Sequence, residues 1–201
     1  MRKATRTVAT WLGVVAGIAG LEHGYFEILH GNTRPASLMF ASMGPPCAPE
    51  TAWHACEPAI TILPNFLITG ILALLLGVVI LVWSAAFMQR PHGGSVLMLL
   101  SVVLLLFGGG VVPPVIGIIG GAAGTRINKP APSKPAGGLL RFAARLWPWP
   151  LVVFMTWALG QFPVGYFFND FLKSIMGFVL PLVLILLPLS VYTAYARDTA
   201  G

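Results

Sequence analysis

The chain has 201 residues, of which 57% are hydrophobic and only 9% are charged. Soluble domains carry about 25% charged residues, so the composition excludes an ordinary soluble protein and indicates a polytopic membrane protein. The apolar runs are long rather than alternating, which predicts transmembrane helices and not a barrel. The formal charge is +6, but the basic residues form no dense run. Their distribution therefore indicates the orientation of the chain in a membrane and no nucleic-acid partner.

The first apolar run ends in a segment with two acids and two histidines, residues 20–30. At 100° per residue, His23, Glu27 and His30 share one helical face, while Glu22 points to the opposite side. An ionisable group in hydrocarbon costs at least about 2.5 kcal/mol, so such groups usually face a partner or a wet cavity. We therefore predict an ion- or proton-binding site formed by these four residues. The alternative is that the segment lies at headgroup level, solvated and without a role.

Four glycines of the same helix, Gly13, Gly17, Gly20 and Gly24, form a stripe beside this ionisable face. Small residues at this spacing let a second helix backbone approach closely in lipid. The stripe predicts packing inside the bundle. Gly-rich faces of this kind also suit contact with a second copy of the chain or with a larger membrane complex. The basic start and short apolar core also resemble a signal peptide, so cleavage is the alternative to a retained helix.

The loop at residues 31–60 is rich in Pro and contains both cysteines of the chain, Cys47 and Cys56. If the basic N-terminus is cytoplasmic, this loop is extracytoplasmic, where disulfides persist. We predict a Cys47–Cys56 disulfide, with two free thiols as the alternative. Glu57-Pro58 predicts a helix start, since an acid and a proline suit the first turn. The second span follows at about residues 65–87.

The region 95–123 is too long for one simple span and is interrupted by a Gly/Pro segment, residues 108–114. A single crossing would leave five of the twelve basic residues in the cytoplasm, whereas a hairpin about this segment would leave ten there. The positive-inside rule therefore favours a re-entrant or short-paired hairpin, with both termini in the cytoplasm and the protein in the cytoplasmic (inner) membrane. Non-helical backbone at membrane depth is tolerated where it is buried in protein or lines water. The predicted pore-lining residues are Gly108, Gly109, Gly110, Pro113 and Pro114.

A Pro/Lys/Gly linker, residues 127–138, separates an N-terminal membrane unit (1–126) from a C-terminal unit (139–201). The second unit opens with a short amphipathic segment whose apolar face lies opposite Arg141 and Arg145. This pattern predicts a helix that lies in the membrane interface.

Two further spans are predicted at about residues 151–168 and 171–194. Three prolines should kink or break them: Pro163, Pro181 and Pro188. The predicted fold class is therefore all-α integral membrane, with four transmembrane helices, the Gly/Pro hairpin and the interfacial amphipathic helix.

A second interpretation of the ionisable residues is a metal site that combines His23, Glu27 and His30 with His54 and Glu57 of the loop. Glu27 and His30 have the E-x-x-H spacing of carboxylate-bridged metal bundles, and His54 and Glu57 are also three apart. Imidazole and carboxylate suit several divalent transition metals, which are the candidate cofactors. No hydrolase, nucleotide-binding or zincin motif occurs, so an enzyme is not favoured.

The ionisable first helix, the broken hairpin and the acidic, imidazole-rich outer side together favour a small cation, proton or small-solute permeation module. The alternatives are a membrane metal-binding or redox protein, and an accessory or assembly subunit of a larger membrane complex.

Five short segments carry a resemblance: Gly20-Leu21-Glu22-His23-Gly24, Glu57-Pro58-Ala59, Leu63-Pro64-Asn65, Gly108-Gly109-Gly110 and Thr125-Arg126-Ile127-Asn128. They resemble segments of a group of bacterial polytopic membrane proteins that have no assigned activity. The resemblance covers mainly residues 10–128. It implies a membrane protein but no activity, cofactor or site residue.

Overall fold

The computed structural model of the protein describes residues 1–41, 53, 54, 57–130 and 137–200. These residues form seven helices and a two-stranded antiparallel sheet. In chain order, the elements are α1 Lys3–Leu29, β1 Met39–Ala41, β2 Pro58–Ile60, α2 Phe66–Ala86, α3 Gly93–Leu106, α4 Val112–Gly124, α5 Gly138–Leu146, α6 Trp149–Phe167 and α7 Asn169–Ala200. Four segments are long and apolar enough to cross a membrane: Lys3–Leu29, Phe66–Ala86, Gly138–Phe167 and Asn169–Ala200. The prediction of a mainly helical chain with four segments that are long and apolar enough to span a membrane is confirmed.

Helix α1 is the centre of the fold, because α2, α3, α4, α6 and α7 all contact it. Two glycines of its stripe, Gly17 and Gly24, meet the backbone of α2. A Cβ atom on Gly17 would lie 2.9 Å from the Gly77 carbonyl oxygen, and one on Gly24 would lie 2.8 Å from that of Gly70. The stripe therefore packs inside the bundle. The predicted oligomer or larger complex stays a prediction, and a partner that used this face would have to displace α2.

Helices α3 and α4 form an antiparallel hairpin. Gly94 at the start of α3 packs against Gly121 of α4, and Ser101 in the middle of α3 packs against Gly117. The open end of the hairpin lies beside the N-terminus, since the Arg2 backbone N–H donates to the Ile127 carbonyl at 2.9 Å. The chain therefore turns back between α3 and α4 and does not continue as a single crossing.

The closed end of the hairpin is hydrogen-bonded to the end of β2. The Gly108 N–H donates to the Ile60 carbonyl at 2.9 Å, and the Ile62 N–H donates to the Leu106 carbonyl at 3.0 Å. These two bonds satisfy backbone groups that neither helix can pair. They fix the turn over the C-terminal part of α1.

Both ends of the described chain meet at the opposite end of the bundle. The Asp198 carboxylate near the end of α7 accepts hydrogen bonds from the N–H groups of Ala4 at 3.0 Å and Thr5 at 2.7 Å. These groups lie in the first turn of α1, which has no side-chain cap of its own. Asp198 therefore caps α1 from a distant part of the sequence.

Asp198→Ala is expected to lower the free energy of unfolding by about 1–2 kcal/mol, because a carboxylate that caps a helix N-terminus is worth this much. The measurement is the thermal unfolding midpoint of the detergent-purified protein by circular dichroism. Asp170→Ala is the matched control, since that carboxylate is 92% exposed and forms a surface pair with Lys173 three residues on. Exposed pairs contribute little, so an equal shift in both variants would contradict the capping role.

Two sequence predictions are wrong. Pro58 begins β2 and not a helix, because residues 58–60 pair with Met39–Ala41. The next helix begins instead after Asn65, whose side chain accepts a hydrogen bond from the Ile68 N–H at 3.1 Å. The predicted break at Pro163, Pro181 and Pro188 is wrong, since α6 and α7 continue through them, and the alternative of a kink stays a prediction. Packed membrane helices tolerate the single backbone bond that each proline removes.

The two predicted units share one hydrophobic core. One buried cluster joins Leu12 of α1 and Leu97 of α3 to Phe154 of α6 and Leu187 of α7. The amphipathic segment is helical as α5, with Ala143 packed in a second cluster and the Arg141 face exposed. The domain boundaries at 126 and 139 stay predictions.

Candidate ion-binding site

The candidate site begins with Glu27, which lies near the C-terminal end of α1 and is 0% exposed. Its carboxylate lies directly under the α3–α4 turn, where a Cβ atom on Gly108 would collide with both carboxylate oxygens. Gly108 has a φ of 83°, a conformation that glycine adopts without strain. Neither carboxylate oxygen has a hydrogen-bond partner among the described residues. Glu27 is thus a fully enclosed acid with no fixed donor.

The polar side chain that comes close to Glu27 from α2 is Thr69. Its hydroxyl donates to the backbone carbonyls of Asn65 at 3.1 Å and Phe66 at 3.2 Å instead. A hydroxyl has one proton and rotates freely. Rotation of this hydroxyl would direct its proton to the Glu27 carboxylate.

His23 lies one helical turn before Glu27 and is 1% exposed. The imidazole packs under the same turn, because a Cβ atom on Gly110 would collide with its ring, and Gly110 has a φ of 76°. Its Nε2 lies 3.4 Å from a carboxylate oxygen of Glu57, whose side chain is 36% exposed. Residues four apart on a helix have Cβ atoms about 5–6 Å apart. His23 therefore lies beside the partly exposed Glu57 and one helical turn from the enclosed Glu27.

A second imidazole–carboxylate pair lies beside the first. The Nε2 atom of His54 is 2.5 Å from a carboxylate oxygen of Glu22. The His54 ring stacks on Trp53 with a centroid separation of 4.1 Å. Trp53 in turn packs on Gly165 and Phe162 of α6. The C-terminal helices thus hold this pair in place.

The two pairs border a cavity of about 90 Å³ between α1, α4, α6 and α7. Glu22, His23, His54 and Glu57 line its polar part, and none of its described lining residues is Lys or Arg. The rest of the wall is mainly apolar and aromatic and includes Ile18, Ile116, Phe154, Trp157, Phe162 and Leu180. We call this space the His/Glu cavity.

The residues of the predicted ionisable face lie in two different surroundings. His23 and Glu27 lie together under the turn, whereas His30 ends α1 and packs on the Phe66 ring at 4.7 Å, away from the cavity lining. Glu22 does not point to the opposite side, because it borders the same cavity as His23. Adjacent residues of a helix are 100° apart, so one cavity can contact both side chains.

The predicted turn residues also differ in their surroundings. Gly108 and Gly110 lie against Glu27 and His23, but Gly109 packs against Leu104 of α3. Pro113 lines the His/Glu cavity, and Pro114 is buried in the first turn of α4 without lining it. Only part of the predicted turn therefore belongs to the site.

Within the described ranges, no group of three or more His, Cys, Asp or Glu residues is arranged to hold a metal ion. Of the five predicted ligands, only His23 and Glu57 pair with each other. His54 pairs with Glu22, which is outside the predicted set, and Glu27 and His30 have different neighbours. The metal prediction therefore has no support from this part of the chain. The predicted Cys47–Cys56 disulfide lies outside the described residues.

Sequence reasoning missed the contributions of α6 and α2. Trp157, Gln161 and Phe162 line the cavity, and Thr69 approaches Glu27. Nothing in the local sequence connects these residues with residues 22–27, because the contact is made by packing alone. Trp53 was within reach of such reasoning, since it adjoins His54 and a tryptophan commonly covers a buried polar group.

The arrangement places a partly exposed acid beside a buried imidazole, one helical turn from an enclosed carboxyl group. The chain matches no protein-family model, and no curated protein or solved structure matches it.

Proposed function

We propose that the protein is a small cation or proton permeation module of the membrane, in which Glu27 binds or relays the ion. The observation that carries this proposal is the complete burial of a carboxyl group that has no hydrogen-bond partner among the described residues. A charged carboxylate in such surroundings is costly unless a proton or a cation neutralises it. Glu27 is therefore suited to take up a positive charge and to release it again.

The route to Glu27 supports the same function. Glu57 is partly exposed, and His23 lies next to it at 3.4 Å. A neutral imidazole accepts a proton at one nitrogen and donates from the other, so His23 suits proton transfer between two acids. In this proposal Glu57 collects the ion, His23 passes or tunes it, and Glu27 holds it.

The membrane arrangement is part of the proposal. Helices α3 and α4 have 14 and 13 residues, and at about 1.5 Å per residue each reaches only about 20 Å into a hydrocarbon core of about 30 Å. The turn at Gly108–Gly110 then lies at membrane depth, covered by α1 and β2. The concentration of basic residues near the open end of the hairpin favours a cytoplasmic position for that end and for both termini. Helix α5 would lie in the interface.

The test is ion flux into proteoliposomes that contain the full chain and a pH-sensitive dye. Under an imposed potassium diffusion potential, the wild-type protein is expected to acidify the lumen faster than empty vesicles. Glu27→Gln keeps the size of the side chain and removes its charge, so we expect a flux about 100-fold lower, as for the loss of a proton-transfer group. Asp170→Asn makes the same chemical change at an exposed position and should leave the flux unchanged.

Gel filtration and the thermal unfolding midpoint establish that both variants fold. Wild-type flux equal to that of empty vesicles would overturn the proposal. A folded Glu27→Gln protein with wild-type flux would also overturn it.

A further inference from the structure

We propose that the open end of the α3–α4 hairpin binds the phosphate headgroup of an anionic lipid. The site is an open cleft of about 590 Å³ between the α2–α3 turn and the segment that follows α4. We call it the basic cleft, and its described lining includes Arg90, Ser95, Asn128 and Lys129. It lies at the opposite end of α1 from the His/Glu cavity, so this proposal does not depend on ion permeation.

Two cationic residues from distant segments meet at the basic cleft. Arg90 belongs to the turn between α2 and α3, and Lys129 follows α4. The side-chain amide of Asn128 donates to the Gln89 carbonyl at 3.1 Å. This hydrogen bond joins the residues that immediately precede Arg90 and Lys129. It therefore holds the backbones of the two cationic residues near each other.

The backbone at Lys129 is also held by a buried arginine. The Arg2 side chain is 7% exposed, and it donates to the Lys129 carbonyl at 3.2 Å and to the Pro130 carbonyl at 2.8 Å. Its guanidinium lies 4.8 Å from the centre of the Tyr195 ring. A backbone that is fixed before binding lowers the entropy cost of ordering a site. Lys129 thus presents its exposed side chain from a fixed position.

The charge of the basic cleft favours an anion. Arg90 and Lys129 contribute two positive charges, and no Asp or Glu is found among the described lining residues. The Arg90 guanidinium lies 6.0 Å from the centre of the Phe87 ring, within the range of a cation–π contact. A guanidinium pairs with a phosphate through two parallel N–H donors, and an ammonium binds it as a point charge. The two residues together suit one phosphate group.

The basic cleft lies at the ends of two candidate membrane spans. Arg2 immediately precedes the span Lys3–Leu29, and Arg90 lies shortly after the end of the span Phe66–Ala86. In a membrane crossed by these segments, the cleft is at the level of the lipid headgroups. Basic pockets between membrane helices bind anionic headgroups.

An exposed apolar strip leads from the basic cleft along α3 and favours a lipid over a free anion. Ser95 lines the cleft, and Leu99, Val102 and Leu106 follow at helical spacing on the same face. The three apolar side chains are 63%, 42% and 37% exposed. At about 1.5 Å per residue the strip is about 16 Å long, roughly half of a hydrocarbon core of about 30 Å. It therefore matches an acyl chain of one leaflet.

The test is binding of dioctanoyl phosphatidylglycerol to the full chain in detergent, measured by native mass spectrometry. Dioctanoyl phosphatidylcholine has the same chains and phosphate but no net charge, and we expect it to bind about tenfold or more weakly. The double variant Arg90→Gln, Lys129→Gln should weaken phosphatidylglycerol binding about tenfold or more, because it removes both charges of the cleft. The matched control is Arg141→Gln, Arg145→Gln, which removes two exposed charges of α5 and should leave the affinity unchanged.

Equal affinity for the two lipids would overturn the inference. Equal weakening in the two double variants would also overturn it, because the total surface charge and not the cleft would then attract the lipid. Inorganic phosphate at constant ionic strength is the remaining arm. If it bound the cleft as tightly as phosphatidylglycerol, the site would be one for a free anion and the lipid assignment would be wrong. The unfolding midpoint in detergent establishes that both double variants fold.

Discussion

Gly108→Ala is expected to destabilise the protein by about 2–5 kcal/mol, the sum of a left-handed backbone strain of roughly 1–2 kcal/mol and an overpacking cost of roughly 1–3 kcal/mol. The backbone φ of Gly108 is 83°, and the added methyl group would meet the Glu27 carboxylate. The carboxylate is enclosed on all sides, so it has little room to move. The measurement is the thermal unfolding midpoint in detergent, together with the gel-filtration profile.

Gly31→Ala is the matched control for this variant. Gly31 also has a positive φ, 67°, but a Cβ atom there would meet nothing within 4 Å. Its substitution therefore measures the backbone strain alone, roughly 1–2 kcal/mol. The difference between the two variants reports the collision with Glu27. Equal shifts in the unfolding midpoint would mean that the turn does not press on the carboxylate.

Gly24→Ala is the second change with a large expected effect, because it separates α1 from α2. The new Cβ atom would lie 2.7 Å from the Leu74 backbone nitrogen and 2.8 Å from the Gly70 carbonyl oxygen. Backbone atoms of a packed helix cannot rotate away as a side chain can, so we expect a loss of about 3 kcal/mol or more. The expected observation is a lower unfolding midpoint and a smaller yield of monodisperse protein.

The control for Gly24→Ala is the same substitution at another helical glycine. Gly177 of α7 has nothing within 4 Å of a built Cβ atom, so alanine there should stabilise the helix by about 0.5–1 kcal/mol. The two variants share the change in helix propensity but differ in packing. Shifts of the same sign and size would contradict the close contact between α1 and α2.

Much of the architecture follows from sequence because local chemistry decides it. Helix α2 begins after Asn65, in agreement with the span predicted at about residues 65–87 from the long apolar run. The distribution of basic residues predicts the α3–α4 hairpin, since a single crossing would place most of them outside. The spacing of His23 and Glu27 predicts that both lie on one helix face, and both do lie under the same turn.

The rest of the site depends on contacts between distant segments. Gly108 lies 81 residues after Glu27, and no periodic pattern connects them. His30 fits the face of His23 by angle, but α1 ends there and the ring packs on Phe66. Prediction of the His54–Glu22 pair requires knowledge of how the loop returns to α1, and hydrophobic patterning does not give this information. Pro58 shows the same limit, since a strand partner decides its conformation.

The hydrogen bonds between the turn and β2 have a consequence for access to the buried acid. Gly108 and Ile62 tie the turn to the end of β2, and Glu57 stands immediately before that strand. The α3–α4 turn that covers Glu27 and the Glu57 residue that lies beside His23 thus belong to one hydrogen-bonded segment of backbone. Any displacement that uncovers Glu27 must either move this segment as a unit or break both bonds. Opening of the turn with these bonds intact would therefore move Glu57 together with the cover over Glu27.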